Sequence, residues 1–365
     1  MRWPKQVQNE RLENLGCKIR IEEETLIRFL KPKKFLPSSF VLFTSGTTDR
    51  PKAARLRLEA LLANAQEVNR CTNFQAEDRW TLSLPLFHVG GLGILLRATI
   101  ASGTLCLSPH ERSATHLSQV PTQLYRAWPI SPRLKAVLLG GAPITETPER
   151  LPIIATYGLT EMGSAVLARR NPVWHSGHCF LGFPLPGREI ELRAGEIWVR
   201  GQCRFDGYGT DNVFDKNGWF ATGDLAICHP EWGYAIVGRK DNLFISGGEN
   251  VQPEEIEREL KTHPAVVEAM VIPRRDPEYG ARPVAFIQSI RPIPQQEWHR
   301  RLEQTLPKFK IPLSFLPWPE EIEAGKGGRK KLFDILNANT KALDTIFLVP
   351  TTSLAVRSDQ ICPKK

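Results

Sequence analysis

The sequence predicts an α/β fold in two parts, on three observations. Between Ser39 and Ser164, apolar strand-like runs alternate with turns of small residues and with helix-like segments, the pattern of layered α/β sheets, mostly parallel. From Arg188 to Arg239 the texture changes to short strands with Gly-rich turns, as in a small β-barrel-like part. From Arg239 onward a compact α+β pattern begins, and residues after about Asn337 show no firm periodicity and read as a tail. The expected division is therefore 1–238, 239–337 and 338–365 in a chain of 365 residues, long enough for one sizeable core and a second, smaller one.

Taken in order, "SSFVLF" reads as a buried strand. After the loop that follows, Leu58, Leu61, Leu62, Ala65 and Val68 recur at helical spacing and define one apolar face. "RWTLSLPLF" is a second strand and "VGGLGILLRATIASG" a helix closed by Gly103. "LKAVLLGGAPI" and "LPIIATYGLTEMGS" repeat strand, small-residue turn and helix, and in such folds ligands sit at the carboxyl ends of the strands, where these turns fall. "PEEIERELKTH" carries Pro253 at its start, acids in its first turn and a basic end, all complementary to a helix dipole. "AVVEAMVIP" and "RPVAFIQSI" are strands, "QQEWHRRLEQTL" a helix and "IPLSFLPW" another strand.

The net charge of +9 raises the question of an anionic partner. Lys and Arg are scattered, the tightest unbroken run being Arg329-Lys330-Lys331, and no stacking aromatics or groove-reading module accompany them, so nucleic acid is not expected. An anionic small molecule or ordinary solubility explains the excess equally well. The seven cysteines are odd in number and widely spaced, without a CxxC pair, which gives zinc or redox chemistry no framework. His175, His178 and Cys179 lack a fourth ligand and read as a plain loop. The N-terminus has no apolar signal core, and the apolar run "VGGLGILLRATIA" is broken by Arg97 and too short to span a bilayer. The expectation is a soluble protein of the reducing cytoplasm.

The stretch "FTSGTTDRPK", Phe43 to Lys52, is the most chemically loaded. Backbone N–H groups of a Ser/Thr/Gly loop can converge on phosphate oxygens while a lysine adds charge. The same residues also suit a solvated hairpin turn, and alone the loop leaves both readings open. Behind it follow "LPLFHVGG", "LLGGAPI", "ATYGLTEMGS", "GEIWVRG", "GWFATGDLA", "GRKDNLFISGGENVQPEEIE" and "GKGGRKKL". In this order, from about Ser39 to Leu332, the chain resembles the adenylate-forming enzymes, which include acyl- and aryl-CoA ligases, luciferases and adenylation domains. Within them, the segments from Gly238 to Glu257 and from His263 to Phe286 are most similar to the 2-succinylbenzoate–CoA ligases of menaquinone and phylloquinone biosynthesis.

The resemblance implies ATP, Mg²⁺ and coenzyme A as cofactors or co-substrates, and a small carboxylic acid as the partner. Thr44, Ser45, Gly46, Thr47, Thr48 and Lys52 match the phosphate loop. Tyr157 matches a residue that stacks on adenine, although a core aromatic is the plain alternative. Thr160 matches a contact to the α-phosphate and Glu161 a magnesium ligand, where an acid could also merely complement a helix dipole. Gly140, Gly141 and Ala142 match the space beside the nucleotide base. Asp224 matches the acceptor for the two ribose hydroxyls, though Asp after Gly is also ordinary turn chemistry. Arg239 would reach ribose and phosphates. Asp241 matches a hinge about which a mobile C-terminal domain turns, presenting Lys326 for adenylation and then Ser246, Gly247, Gly248 and Glu249 for thioester formation. His88 matches a side chain at the mouth of the acyl pocket, or is structural.

Arg97 lies nine residues after His88 in an otherwise apolar helix. It either meets the second carboxylate of 2-succinylbenzoate or faces solvent at the helix edge. The chain departs from the family pattern at Asp49, where a glycine is usual, at Gly327-Gly328 after Lys326, and in having only 42 residues before Phe43. A minimal or an impaired enzyme would fit that last feature, and the retained Lys326, Glu161 and Asp224 favour an active one. The alternatives are a CoA ligase for another aromatic or fatty acid and a non-catalytic nucleotide-binding relative.

Overall fold

The structure, a computed structural model, describes residues 19–23, 26–29, 39–44, 52–108, 111–125, 131–144, 147–209, 211–322 and 328–347. In chain order the elements are β1 (Ile19–Glu23), β2 (Leu26–Phe29), β3 (Ser39–Thr44), β4 (Lys52–Arg57), α1 (Leu58–Thr72), β5 (Arg79–Thr81), α2 (Val89–Ala101), β6 (Thr104–Cys106), β7 (His116–Gln119), α3 (Pro121–Tyr125), β8 (Ala136–Leu139), β9 (Ile153–Leu159) and β10 (Ser164–Arg170). There follow β11 (Val173–His175), β12 (His178–Phe180), β13 (Arg188–Arg193), β14 (Glu196–Gly201), β15 (Phe220–His229), β16 (Gly233–Arg239), β17 (Phe244–Ser246), β18 (Glu249–Val251) and α4 (Pro253–Lys261). The last are β19 (Val266–Asp276), β20 (Gly280–Ser289), α5 (Gln295–Leu302), β21 (Phe315–Pro317) and α6 (Gly328–Phe347). Two compact units result: one extends to Leu243 and takes in Gln252–Lys261, the other holds Phe244–Val251 and the residues from Thr262 onward.

The first unit is built on an eight-stranded sheet in the order β1-β2-β6-β5-β7-β8-β9-β10. Its centre, β6-β5-β7-β8-β9, is parallel, and the flanking pairs are antiparallel. The parallel strands read Ala-Val-Leu-Leu or Ile-Ile-Ala because layers cover them on both faces, and β7 and β8 are buried throughout. Helix α1 lays Leu58, Leu61, Ala65 and Val68 into this core and ends on Asn73, whose left-handed backbone (φ 56°) returns N–H groups to the last carbonyls. A second layer, the antiparallel sheet β13-β14-β15-β16, shares the core through Ile197, Val199, Phe220 and Ala226.

In the second unit β19, β20 and β21 form one sheet, against which Leu332 and Leu336 of α6 bury themselves with Ile272, Val284 and Phe286. The α/β class and the small α+β unit are as the sequence implies, but several elements differ.

The run Ser39–Phe43 forms a strand, but it is half-buried on one face only. Among the described residues it pairs with β4 alone; Phe40 and Leu42 pack on the core from one face, and Val41 and Phe43 on the other are exposed. Within "RWTLSLPLF" only Arg79–Thr81 is strand, and the chain then turns at Pro85–Phe87, since proline has no N–H to continue a ladder. The left-handed residue closing α2 is Ser102 (φ 56°) rather than Gly103. No α-helix follows Tyr157: Thr160–Met162 makes a single 3-10 turn and the chain reverses into β10. His175 and His178 face each other across a β-hairpin instead of a loop. Helix α6 runs on to Phe347, into the segment read as a tail: Leu332 and Leu336 anchor it in the core, and Asn and Thr only weakly oppose its extension.

Candidate active site

Strand pairing places the first part of the site. In the β15–β16 register Asp224 lies opposite Arg239, and the guanidinium Nη1 meets Asp224 Oδ1 at 2.9 Å. Arg239 Nη2 reaches on to Asp241 Oδ2 at 3.2 Å. From the end of β9, the Tyr157 hydroxyl donates to the other oxygen of Asp224 at 2.6 Å. Burial, reinforced by the Asp224 charge, pushes the Tyr157 pKa well above its ordinary value, so the phenol stays a donor. A carboxylate has about four lone-pair positions, so two remain for other donors. Tyr157 is only 9% exposed and belongs to the main core cluster, which is the core-aromatic alternative for this residue. Beside it Glu196 accepts from the Gly223 N–H at 3.1 Å and pairs with Lys240 at 2.8 Å.

The second part gathers around Glu161, in the 3-10 turn after β9. The Tyr208 hydroxyl donates to Oε1 of Glu161. Its second oxygen takes no hydrogen bond from the described residues. The Lys52 ammonium stands over the Tyr208 ring, 5.2 Å from its centre. Thr44 and Lys52 face each other where β3 and β4 diverge, so they mark the base of the expected phosphate loop. At the end of β8, a Cβ on Gly140 would stand 2.3 Å from Thr156 Oγ1, so only glycine lets this turn approach β9. Gly141 and Ala142 continue it as exposed backbone.

Arg97 is 2% exposed and is not at a helix edge facing solvent. Helical side chains lean toward the N-terminus, which folds Arg97 back over Gly93, whose missing Cβ would lie 3.0 Å from Nη2. Nη2 donates to Ser164 Oγ at 3.3 Å, the guanidinium covers the Trp80 ring at 5.1 Å, and Nε has no partner. Burial, then repulsion from Arg188, lowers the Arg97 pKa to about 9. No carboxylate pairs with it among the described residues.

Other expected residues are not drawn into these groups. His88 stands at the N-cap position of α2 without a side-chain cap bond, is exposed, and lies tilted against the Phe87 ring with centres 4.5 Å apart. Thr160 opens the 3-10 turn, and its carbonyl accepts the Gly163 N–H at 3.0 Å. Ser246, Gly247 and Gly248 form the β17–β18 turn of the second unit. There Gly247 and Gly248 take φ of 58° and 85°, and Gly247 donates to Tyr279 O at 2.9 Å. Ser45, Gly46, Thr47, Thr48 and Lys326 lie outside the described residues. Sequence reasoning missed Tyr208, Ser164 and Gly93. Only Gly93 left a signal, as a glycine one helical turn before a lone arginine.

Residues 29–209 match the family described as AMP-binding enzyme, and residues 255–320 match the AMP-binding enzyme C-terminal domain. The 2-succinylbenzoate–CoA ligase of Haemophilus influenzae is 37% identical over 328 residues, which cover 83% of this chain and 71% of that enzyme. The chain belongs to the AMP-binding enzyme family. The family's 2-succinylbenzoate–CoA ligase from Escherichia coli is 40% identical over 301 residues, covering 77% of this chain. The chain spans 65% of the length of that relative.

Among solved structures of the family, an arginine-to-lysine variant of Escherichia coli MenE with bound OSB-AMS superposes with a TM-score of 0.70 at 38% identity, over 81% of this chain and 68% of that one. The o-succinylbenzoate coenzyme A synthetase (MenE) of Bacillus subtilis in complex with ATP and magnesium ion gives 0.69 at 28% identity, over 80% and 69%. Like the family, this chain has a large α/β part and a small α+β part. Among the described residues, no helix is long and apolar enough to cross a membrane.

Proposed function

We propose that the protein is an ATP-dependent acid–thiol ligase that joins coenzyme A to 2-succinylbenzoate through an acyl-adenylate, in menaquinone or phylloquinone biosynthesis. The observation that carries this reading is Arg97. A buried guanidinium without a carboxylate is unfavourable until an anion reaches it. A fatty-acid ligase has no use for such a charge in its acyl pocket. 2-Succinylbenzoate has two carboxylates, one to be activated and one that stays ionised, and a guanidinium can grip the latter with two hydrogen bonds. The relatives named for this substrate support the same reading.

In the first step a carboxylate oxygen attacks the α-phosphorus of ATP and pyrophosphate leaves. In the second the thiol of coenzyme A, losing its proton, attacks the acyl carbon and AMP leaves. Both depend on position and charge more than on covalent help from the protein. Asp224 would take the ribose hydroxyls on its remaining lone pairs, held rigid by Tyr157 and Arg239. Gly140, Gly141 and Ala142 would leave space for the base. Thr44, Lys52 and the loop residues Ser45, Gly46, Thr47 and Thr48 would hold the β- and γ-phosphates, with Thr160 near the α-phosphate.

Magnesium fits Glu161, whose free oxygen is the hard donor this ion takes alongside phosphate oxygens and water. Bound there, it would neutralise charge on the phosphates. Lys326 would serve adenylation, His88 would border the pocket mouth, and Ser246, Gly247, Gly248 and Glu249 would line the path of pantetheine after rotation about Asp241. The five free cysteines among the described residues suit a reducing cytoplasm.

Pyrophosphate release with ATP, Mg²⁺ and a panel of acids tests the reading. Release with 2-succinylbenzoate and not with benzoate or fatty acids is expected, and Arg97→Leu should raise its KM by about 10- to 100-fold while leaving that for ATP unchanged. Release with a monocarboxylic acid alone would make the protein a different CoA ligase. ATP binding without release for any acid would make it a non-catalytic relative.

A further inference from the structure

Tyr208 belongs to none of the motifs that carry the reaction, yet it touches two groups assigned to it. Its hydroxyl donates to Glu161 Oε1. Its ring lies under the Lys52 ammonium, 5.2 Å from the centre. The short segment around it is bonded to both places through the backbone as well. The Phe205 N–H donates to the Glu161 carbonyl at 2.8 Å. Tyr208 bridges to Ala54, the Gly209 N–H donates to Ala53 O at 3.1 Å, and the Arg55 N–H donates to Gly207 O at 3.1 Å. Phe205–Gly209 is thus a strap between the turn that bears Glu161 and the strand that leaves the phosphate loop. The ring itself is fixed edge-on against Phe205 and Phe220, with centres 4.9 and 6.3 Å away.

We propose that Tyr208 is a positioning residue for the magnesium–triphosphate: it fixes the rotamer of Glu161 so that the second carboxylate oxygen faces the metal, and it holds Lys52 in step with that oxygen. The proposal rests on reading Glu161 as the metal-bearing carboxylate. A carboxylate on a three-atom stem has many orientations, and a hydrogen bond from a ring locked in the core removes all but a few. The donor is a phenolic O–H directed at Glu161 Oε1 from a ring held in the core. The ring also provides a π face for Lys52, which lets the lysine stand close without neutralising Glu161 directly.

Tyr208→Phe removes the hydroxyl and keeps the ring. In equilibrium titrations, Mg·ATP should bind about 10- to 100-fold more weakly to the variant, and ATP in EDTA should bind as to the unaltered protein. The magnesium concentration for half-maximal pyrophosphate release should rise by a similar factor, while transfer from supplied acyl-adenylate to coenzyme A is unaffected. Tyr208→His, which keeps a ring donor, should restore part of the metal dependence. Unchanged Mg·ATP affinity in Tyr208→Phe, or equal weakening of metal-free ATP, would overturn the proposal, the latter because it marks a merely structural tyrosine. Glu161→Gln separates the two layers. If it leaves the magnesium dependence intact, the reading of Glu161 fails. If it abolishes that dependence while Tyr208→Phe does not alter it, only the role of Tyr208 fails.

Discussion

Gly93 and Arg97 work as a pair one helical turn apart. The guanidinium occupies the volume a side chain at 93 would need, and it is sandwiched between that backbone and the Trp80 ring. Gly93→Ala puts a methyl group 3.0 Å from Nη2 in a fully buried site, so the cation must shift. Helix propensity favours alanine by about 1 kcal/mol, so unfolding stability should hold or rise. The KM for 2-succinylbenzoate should nonetheless increase several-fold, with that for ATP unchanged. Measuring both, with a denaturation midpoint, distinguishes a displaced anchor from a damaged fold. Loss of stability with an unchanged KM would refute the pairing.

At the scale of elements, the site is assembled where strand ends crowd together. The turn after β8 passes so close to β9 that a Cβ at 140 would meet Thr156 Oγ1 at 2.3 Å and its carbonyl oxygen at 2.6 Å. Gly140→Ala therefore forces the two strand ends apart, at a cost of about 1–3 kcal/mol for overpacking. Because Tyr157 is the next residue of β9 and carries the bond to Asp224, the nucleotide site should suffer along with stability. Binding of an AMP analogue, followed by calorimetry, should weaken, whereas thermal unfolding alone would leave the two effects merged. Unaltered nucleotide affinity would mean that the turn does not border the site.

For the molecule as a whole, connectivity matters more than any contact. The chain passes between its two units three times, at Leu243–Phe244, Val251–Gln252 and Lys261–Thr262. Helix α4 stays with the first unit through Gln252, whose amide donates to Arg239 O at 3.0 Å, and through the bond from Asn242 to Glu254. The expected rotation about Asp241 would break the Gln252–Arg239 bond and strain the Arg239–Asp241 pair. Asp241→Pro fixes φ at the expected pivot and removes that pair. Adenylate should still form, read as pyrophosphate release, while transfer to coenzyme A stalls. Normal overall turnover in this variant would exclude rotation at this residue.

The order of motifs by itself determined the family and the α/β class, because alternation of apolar runs with small-residue turns is a local property that the chain carries wherever it folds. It also determined α4, whose proline, acids and basic end act on the helix that contains them. It did not determine the exposure of Val41 and Phe43 or the length of α6, since burial depends on neighbours remote in the chain. Arg97 shows the division most clearly. The residue and its apolar helix were legible, but its two possible faces were not, and only packing against Trp80, Gly93 and Ser164 put the charge inside. Tyr208 was invisible for the same reason: its partners Glu161 and Lys52 lie 47 and 156 residues away, and a hydrogen bond or a cation over a ring leaves no periodicity in the sequence for such separations.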